Sequence, residues 1–412
     1  MGVYVIDEIM GRGKTTAMIN HINSSGRDQK YLFIVPLNTE EERIRAQCPD
    51  FHFFSPQQLP RKRDDIKRLF SMGVNIVSTH SLFSLMDSEA VQLARENGYT
   101  LIMDEVAAVI TETELTTHDI NLLQQCVAYE PDGEVVWTDD DYEGKFSDLM
   151  ASVKDHEVYR YNDRYWISLM SIEKFTAFKD VYIMTYLFQH QMQRCFFDLY
   201  GIEYERLYVA GDSVENYRLS AEPVPQPPLD YKSLIHIVDG KINNVGNDKF
   251  DLSKSWYKRH CTSESLAPLR RNVENFFRHY AEVDGEKVSA LEKLWTVFKG
   301  EGAVDWKEMI SGRGYARGCF LPCNSKGTNK YRSRRALAYL INLFPNTGIY
   351  NFLKRKGVYL DRDGYALSEM IQWIWRSAIR DGRAIVVYVP SRRMRELLVR
   401  WLDSLMAGGE FK

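Results

Sequence analysis

The stretch Val3-Tyr4-Val5-Ile6-Asp7-Glu8-Ile9-Met10-Gly11-Arg12-Gly13-Lys14-Thr15-Thr16 decides how this chain of 412 residues is read. Residues 3–7 are an apolar run of strand composition, and residues 14–23 repeat apolar positions at helical spacing. The joint between them holds two glycines, a lysine and two threonines. Strand, glycine loop and helix in that order are the context of a phosphate loop. Glycines let successive N–H groups curl around an anion, and the helix amino terminus adds its positive end. On this reading Gly11, Arg12, Gly13, Lys14, Thr15 and Thr16 hold the phosphates, Lys14 reaches the β and γ oxygens, and the Thr15 hydroxyl coordinates Mg²⁺. The full spacing G-x-x-x-x-G-K-[ST] asks for glycine at position 8, where Glu8 stands. Its carboxylate is expected to turn away from the phosphates or to pair with Arg12.

Outward from this loop, short apolar runs alternate with amphipathic stretches. Strands are expected at 31–37, 51–54, 74–79, 99–104 and 180–187, with helices at 39–47, 61–72, 87–97 and 188–200. Runs apolar on both faces argue for a parallel sheet covered on both sides. A second set of strands (233–238, 317–322, 336–341, 384–389) and helices (264–281, 286–298, 365–379, 391–405) follows a proline-rich stretch. The organisation expected is therefore α/β: a first domain over 1–206, a linker over 207–232, and a second domain over 233–412 with a helical insertion near 254–312.

The second element of nucleotide chemistry is Leu101-Ile102-Met103-Asp104-Glu105, an apolar strand ending in two acids. At the carboxyl end of a parallel strand such side chains face the ligand crevice. Asp104 can hold Mg²⁺, and Glu105 can polarise the attacking water.

Composition excludes several classes. Hydrophobic residues make up 44% and charged residues 26%, which argues against wholesale disorder. No run approaches the roughly 20 apolar residues that span a bilayer, so no membrane partner and a cytoplasmic location are expected. The six cysteines are scattered, with only Cys319 and Cys323 close together, which favours reduced thiols over a disulfide framework. Net charge is −3, yet it is polarised: residues 101–160 carry 15 acids against 3 Lys/Arg, and residues 311–400 carry 18 Lys/Arg against 5 acids. Beside a phosphate loop, such a basic region is a candidate footprint for a polyanion.

Gly11–Thr16, the Asp104-Glu105 pair and Gln372-Trp373-Ile374-Trp375-Arg376-Ser377-Ala378-Ile379-Arg380 resemble motifs I, II and VI of the superfamily 2 DNA/RNA helicases and translocases. The resemblance runs from residue 3 to about 400, except over 205–310. It implies two RecA-like P-loop NTPase domains with ATP hydrolysed in the cleft between them. By the family pattern Lys14 and Glu105 are catalytic, and Gln372, Arg376 and Arg380 form the motif that faces the triphosphate. The usual pattern is Gln, three residues, Arg, two residues, Arg; here the second arginine comes one residue late, leaving open which of the two is the finger. Asn38 and Thr39 resemble motif Ia, and Thr79 and His80 the strand-contacting element after it. Thr185 stands where motif III couples the two sites. Lys326, Lys330, Arg332 and Arg335, in a basic loop of the second domain, are candidates to track a nucleic-acid backbone.

The resemblance implies ATP and Mg²⁺ as cofactors and nucleic acid as partner, DNA in preference to RNA, with replication or recombination proteins nearby. The chain is also similar to helicase-like proteins of phages and mobile elements, which places it in a host cytoplasm. Two other readings stay open: another P-loop enzyme, such as a packaging-type motor or small-molecule kinase without unwinding activity, and a nucleic-acid binder with a decayed ATP site. Intact Lys14, Thr15, Asp104 and Glu105 argue against decay. Polarity and oligomeric state are not legible.

Overall fold

The computed structural model describes residues 1–58, 60–162, 165–224, 230–302, 304–315, 318–325, 330–407 and 411. The chain forms two compact units, Met1–Val224 with Asn346–Leu360, and Pro225–Pro345 with Asp361–Lys412.

The first unit is built on a seven-stranded sheet. In chain order its strands begin with β1 (Gly2–Asp7), β2 (Tyr31–Val35), β3 (Ile76–Thr79) and β4 (Thr100–Asp104). An insertion then contributes β5 (Ile110–Glu112), β6 (Val127–Tyr129), β7 (Val135–Trp137), β8 (Val158–Tyr161) and β9 (Tyr165–Leu169), before the main sheet resumes with β10 (Asp180–Thr185), β11 (Glu205–Ala210) and β12 (Arg218–Ser220). The main sheet runs β12-β11-β1-β10-β4-β2-β3. All its pairings are parallel except β11 with the edge strand β12. The sheet is thus mixed rather than purely parallel.

Every side chain of β2 and the first four of β4 are buried, as expected of strands covered on both faces. The helices α1 (Lys14–Asn23), α2 (Asn38–Gln47), α3 (Lys62–Met72) and α4 (His80–Ser84) follow the strands. Ala17, Met18 and Ile22 of α1 pack with Ile6, Phe33, Ile102 and Met184 in one core. That packing fixes where β1 stops and α1 starts.

The stretch expected as a connector over 207–232 opens with strands instead: Leu207, Tyr208 and Val209 lie in β11 and Arg218–Ser220 form β12, while residues 225–229 lie outside the described residues. The insertion between β4 and β10 carries most of the acidic stretch. It has two small antiparallel sheets, β5-β9-β8 and β6-β7, over a core of its own that includes Leu123, Trp137, Phe146, Val158 and Trp166. The helix Thr347–Arg355 packs on this insertion: the Phe352 and Tyr159 rings lie 5.3 Å apart, and Lys356 pairs with Asp132 at 2.6 Å.

The second unit holds β13 (Ile235–Ile237), the short hairpin β14 (Glu282–Val283) and β15 (Glu286–Lys287), β16 (Lys293–Thr296), β17 (Ala336–Tyr339) and β18 (Ile385–Tyr388). Its main sheet is parallel throughout, in the order β13-β18-β17-β16. The helical region expected near 254–312 is present as Lys254–Arg259, Ser263–Asn275 and Trp306–Ile310. It is interrupted where a helix was expected over 286–298. There Lys293–Thr296 instead pairs in parallel with Ala336–Tyr339 as the edge of the sheet. Leu294 and Trp295 are fully buried, and the Trp295 indole donates to the Tyr315 carbonyl at 2.9 Å. The helix expected over 365–379 ends at Ile374 and is followed by a separate 3-10 turn, Ala378–Asp381. Trp373 and Trp375 are both buried; the Trp373 indole donates to the Leu321 carbonyl at 3.1 Å, and the Ser377 hydroxyl caps the Ile374 carbonyl at 2.6 Å. No helix among the described residues is long and apolar enough to cross a membrane.

Candidate functional site

The loop between β1 and α1 has the conformation its sequence demands. Gly11 and Gly13 take φ +84° and +76°, on either side of Arg12 with negative φ. Alternation of left- and right-handed residues makes the concave run of amides that receives anions. Lys14 is half-buried, and its ammonium donates to the backbone carbonyls of Glu8 and, at 3.2 Å, Ile9. Burial lowers its pKa, opposed by the charges of Glu105, Asp104, Asp7 and Glu8. Glu8 does not face the loop. Its carboxylate accepts from the Val209 amide on β11, and burial raises its pKa against the pull of Lys14.

Asp104 ends β4, two strands from β1 in the sheet, with β10 between them. The Thr15 hydroxyl donates to Asp104 Oδ2 at 3.4 Å, so the loop and the strand-end acid are in direct contact. Burial and the neighbouring Glu105 charge push the Asp104 carboxyl up to about 6, although Lys14 pulls it down. Glu105 has φ +74°, a left-handed conformation that costs a non-glycine residue about 1–3 kcal/mol. Its amide donates to the Met184 carbonyl at 2.9 Å, and the next carbonyl, that of Thr185, receives the Glu8 amide at 3.1 Å. Residues 184–185 at the end of β10 therefore tie the acid pair to the glycine loop. The buried Thr185 hydroxyl donates to Gln191 Oε1 at 3.0 Å, fixing that strand end.

A cavity of about 630 Å³ opens at the carboxyl ends of β2 and β3. Asn38 and Thr79 line it together with Ser81 and three consecutive cations, Arg61, Lys62 and Arg63. These cations are exposed, form no ion pair among the described residues, and share the cavity with no lining carboxylate. Thr39 is exposed on α2 outside the lining. His80 turns inward instead: its Nε2 hydrogen-bonds the Asp104 carbonyl at 2.8 Å. At the other end of α4 the buried Lys174 donates to the Ser84 carbonyl at 2.7 Å. The short helix that walls the cavity is thus held directly to the residue that ends β4. The Arg61-Lys62-Arg63 run, visible as bare charge at a helix start, is the part of this surface that motif reading passed over.

In the second unit Gln372 is half-buried in the last helical turn, Arg376 is buried in the turn after it, and Arg380 is exposed on the 3-10 turn. The three do not share a helical face. Of the basic-loop candidates, Lys326 lies outside the described residues and Lys330 is exposed. Arg332 Nε lies 2.6 Å from each Asp381 oxygen, and Arg335 pairs with Asp284 at 2.5 Å. All six cysteines are free, and no metal-holding cluster of His, Cys, Asp and Glu exists among the described residues.

Fold and site together define an α/β protein of two Rossmann-type sheets, the first of which sets a glycine loop against a strand-end carboxylate pair. A family model described as the YonV C-terminal Rossmann-like domain matches residues 229–402. The SPbeta prophage-derived uncharacterized protein YonV of Bacillus subtilis (strain 168) is 35% identical over 421 residues, spanning 98% of this chain and 99% of that protein. The chain belongs to the YonV family. Among solved structures it is similar to Xpd4 of S. tokodaii, with a TM-score of 0.46 and 11% identity over 99% of this chain and 94% of that one. It is also similar to the DUF1998 helicase MrfA solved with DNA and AMPPNP, with a TM-score of 0.35 and 10% identity over 99% of this chain and 48% of that one. Neither likeness is close enough to transfer a function.

Proposed function

We propose that the protein is an Mg²⁺-dependent ATPase whose turnover is coupled to nucleic acid, DNA before RNA, and that it works as a helicase or translocase. The observation that carries the reading is the convergence, within the first unit, of Lys14, Thr15, Asp104 and Glu105, with Thr15 against Asp104 at 3.4 Å. The donor set suits Mg²⁺: a hydroxyl and a carboxylate are hard oxygen ligands, and a carboxyl held up near 6 by burial and by Glu105 is one that a divalent cation would relieve. Thr15 and Asp104 would hold the metal, which would supply charge neutralisation at the phosphate oxygens. Lys14 gives up its carbonyl partners for the phosphates, replacing neutral hydrogen bonds by charge-assisted ones. Glu105, next along the chain, orients the attacking water and accepts its proton. Its strained backbone is the kind of local cost that a reacting position carries.

Coupling to a polymer is supported by the cation-lined cavity and by α4. Hydroxyls, amides and lysine or arginine side chains along a groove grip phosphates without reading bases. Thr79 and Ser81 line the cavity, while His80 between them bonds the Asp104 carbonyl, so strand binding and the acid pair share one short helix. The prophage origin of the relative suits a role in phage replication or recombination within a host cytoplasm.

The test is ATP hydrolysis by the full chain with Mg²⁺, alone and with single-stranded, duplex and forked DNA and with RNA. Turnover that one polymer stimulates and that Lys14→Ala abolishes is the expected result. Turnover indifferent to every polymer would leave an ATPase of another type, and turnover retained by Lys14→Ala would refute the assigned loop.

A further inference from the structure

Resting on the nucleotide reading above, the sheet order also orients the nucleotide. The acid pair lies on the β10–β4 side of β1, whereas β11 and β12 lie on the other side. On this reading a triphosphate whose terminal phosphate sits by Thr15, Asp104 and Glu105 runs its nucleoside end away from β4, toward the β11–β12 flank. The segment that occupies that flank is the loop joining those two strands, residues 211–217.

This loop is built and fastened. The Asn216 carboxamide oxygen accepts from the amides of Asp212 and Ser213 at 2.8 and 2.9 Å, and the Tyr217 amide donates to the Ser213 carbonyl at 3.0 Å. Asn20, on α1, donates its side-chain amide to the carbonyls of Val214 at 3.0 Å and Tyr217 at 2.9 Å. The loop is therefore fixed to the same helix whose amino terminus forms the phosphate cradle. Its last residue, Tyr217, lays one edge of its ring on Gly13: a Cβ on that glycine would fall 2.7 Å from two ring carbons and 2.9 Å from a third. Gly13 is thus required twice, for its positive φ and for the approach of this ring. The side chain is partly buried, packing against the core of the first unit, and its hydroxyl has no hydrogen-bond partner among the described residues.

A partly exposed aromatic ring seated against a phosphate loop offers a nucleobase a surface on which to stack. We propose that Tyr217 is the nucleoside platform of this site: the base of a nucleoside triphosphate rests on its exposed face while the phosphates follow Gly13 and Lys14 toward Asp104. A purely structural tyrosine, holding the loop against Gly13, would matter equally for every ligand of the phosphate cradle. A platform matters only for ligands that carry a base.

The experiment compares ATP with inorganic tripolyphosphate, each titrated with Mg²⁺ into the full-length protein and into Tyr217→Ala and Tyr217→Phe, with thermal melts reporting folding. Tyr217→Ala should weaken ATP binding about tenfold or more, the scale of one lost base–aromatic stack, and change tripolyphosphate binding by less than about threefold. Tyr217→Phe keeps the ring and should bind ATP within about threefold of the parent. Equal losses for the two ligands in Tyr217→Ala, no loss for either, or a Tyr217→Phe protein as weak as Tyr217→Ala would each overturn the platform while leaving the phosphate loop standing. A parent protein that binds neither ligand would overturn the nucleotide reading itself, and the platform with it.

Discussion

One cluster of cations in each unit makes an instructive contrast. In the first, Arg61, Lys62 and Arg63 stand together around a cavity with no lining carboxylate. In the second, four cations of the basic region each stand against an acid: Arg332 against Asp381, Arg335 against Asp284, Arg392 against Glu396 and Arg393 against Asp363. Arg393 is further spent on the Asn342 side chain and the Leu343 carbonyl, at 2.9 and 2.8 Å. A carboxylate beside a cation offsets its field and repels an approaching phosphate, so a paired cation attracts a polyanion less than a bare one. Counting charge along a chain therefore does not locate an anion site; what matters is which cations stand free of an ion pair around a cavity that no carboxylate lines.

This comparison can be broken by mutation. Replacing Arg61, Lys62 and Arg63 together by alanine should weaken polymer binding on the order of a hundredfold at low salt and flatten its salt dependence, because about three phosphate contacts are removed. The paired change Arg332→Ala with Arg335→Ala should move polymer affinity by no more than about threefold. Salt-dependent binding assays decide the matter, and the reverse ranking would place the polymer on the second unit.

A smaller effect sharpens the same contrast from the acidic side. Asp104 is pushed up to about 6, first by burial and then by Glu105, so the folded state holds that proton more tightly than the unfolded chain does. Ionised Asp104 therefore costs stability above about pH 6, and the cost shrinks as pH falls toward the ordinary carboxylate range. Without Mg²⁺, Asp104→Asn should raise stability at about pH 7.5 by roughly 1–2 kcal/mol, and the gain should fade by about pH 4. Melting curves across that range check it; a destabilised Asp104→Asn at neutral pH would mean the carboxylate is well solvated or well paired. The same titration predicts that Mg²⁺ affinity falls as pH drops through about 6, as protons compete for the ligand.

Much of the first unit's fold was legible because its local structure follows directly from residue type. The run Gly11–Thr16 needs a strand before it and a helix after it, and α1 begins at Lys14. The fully apolar β2 and β4 could only be strands covered on both faces. What escaped had weak periodicity. The insertion strands β5 to β9 are three to five residues long, too short to show alternation, and β16 occupies four residues inside a stretch with helix-like spacing. Partners distant in sequence were equally invisible. Nothing near His80 announces a bond to the carbonyl of Asp104, and nothing near Tyr217 announces Gly13. The Gln372–Arg380 segment read as the end of one helix over 365–379, yet the helix stops at Ile374 with Trp373 and Trp375 both buried.

The most direct trial of the account is Glu105→Gln, studied for Mg²⁺-ATP binding and for hydrolysis in the same preparation. The account predicts a protein that still binds Mg²⁺-ATP while its turnover falls on the order of a hundredfold or more, since the phosphate cradle survives and the water loses its base. Hydrolysis at the parental rate by Glu105→Gln would contradict it.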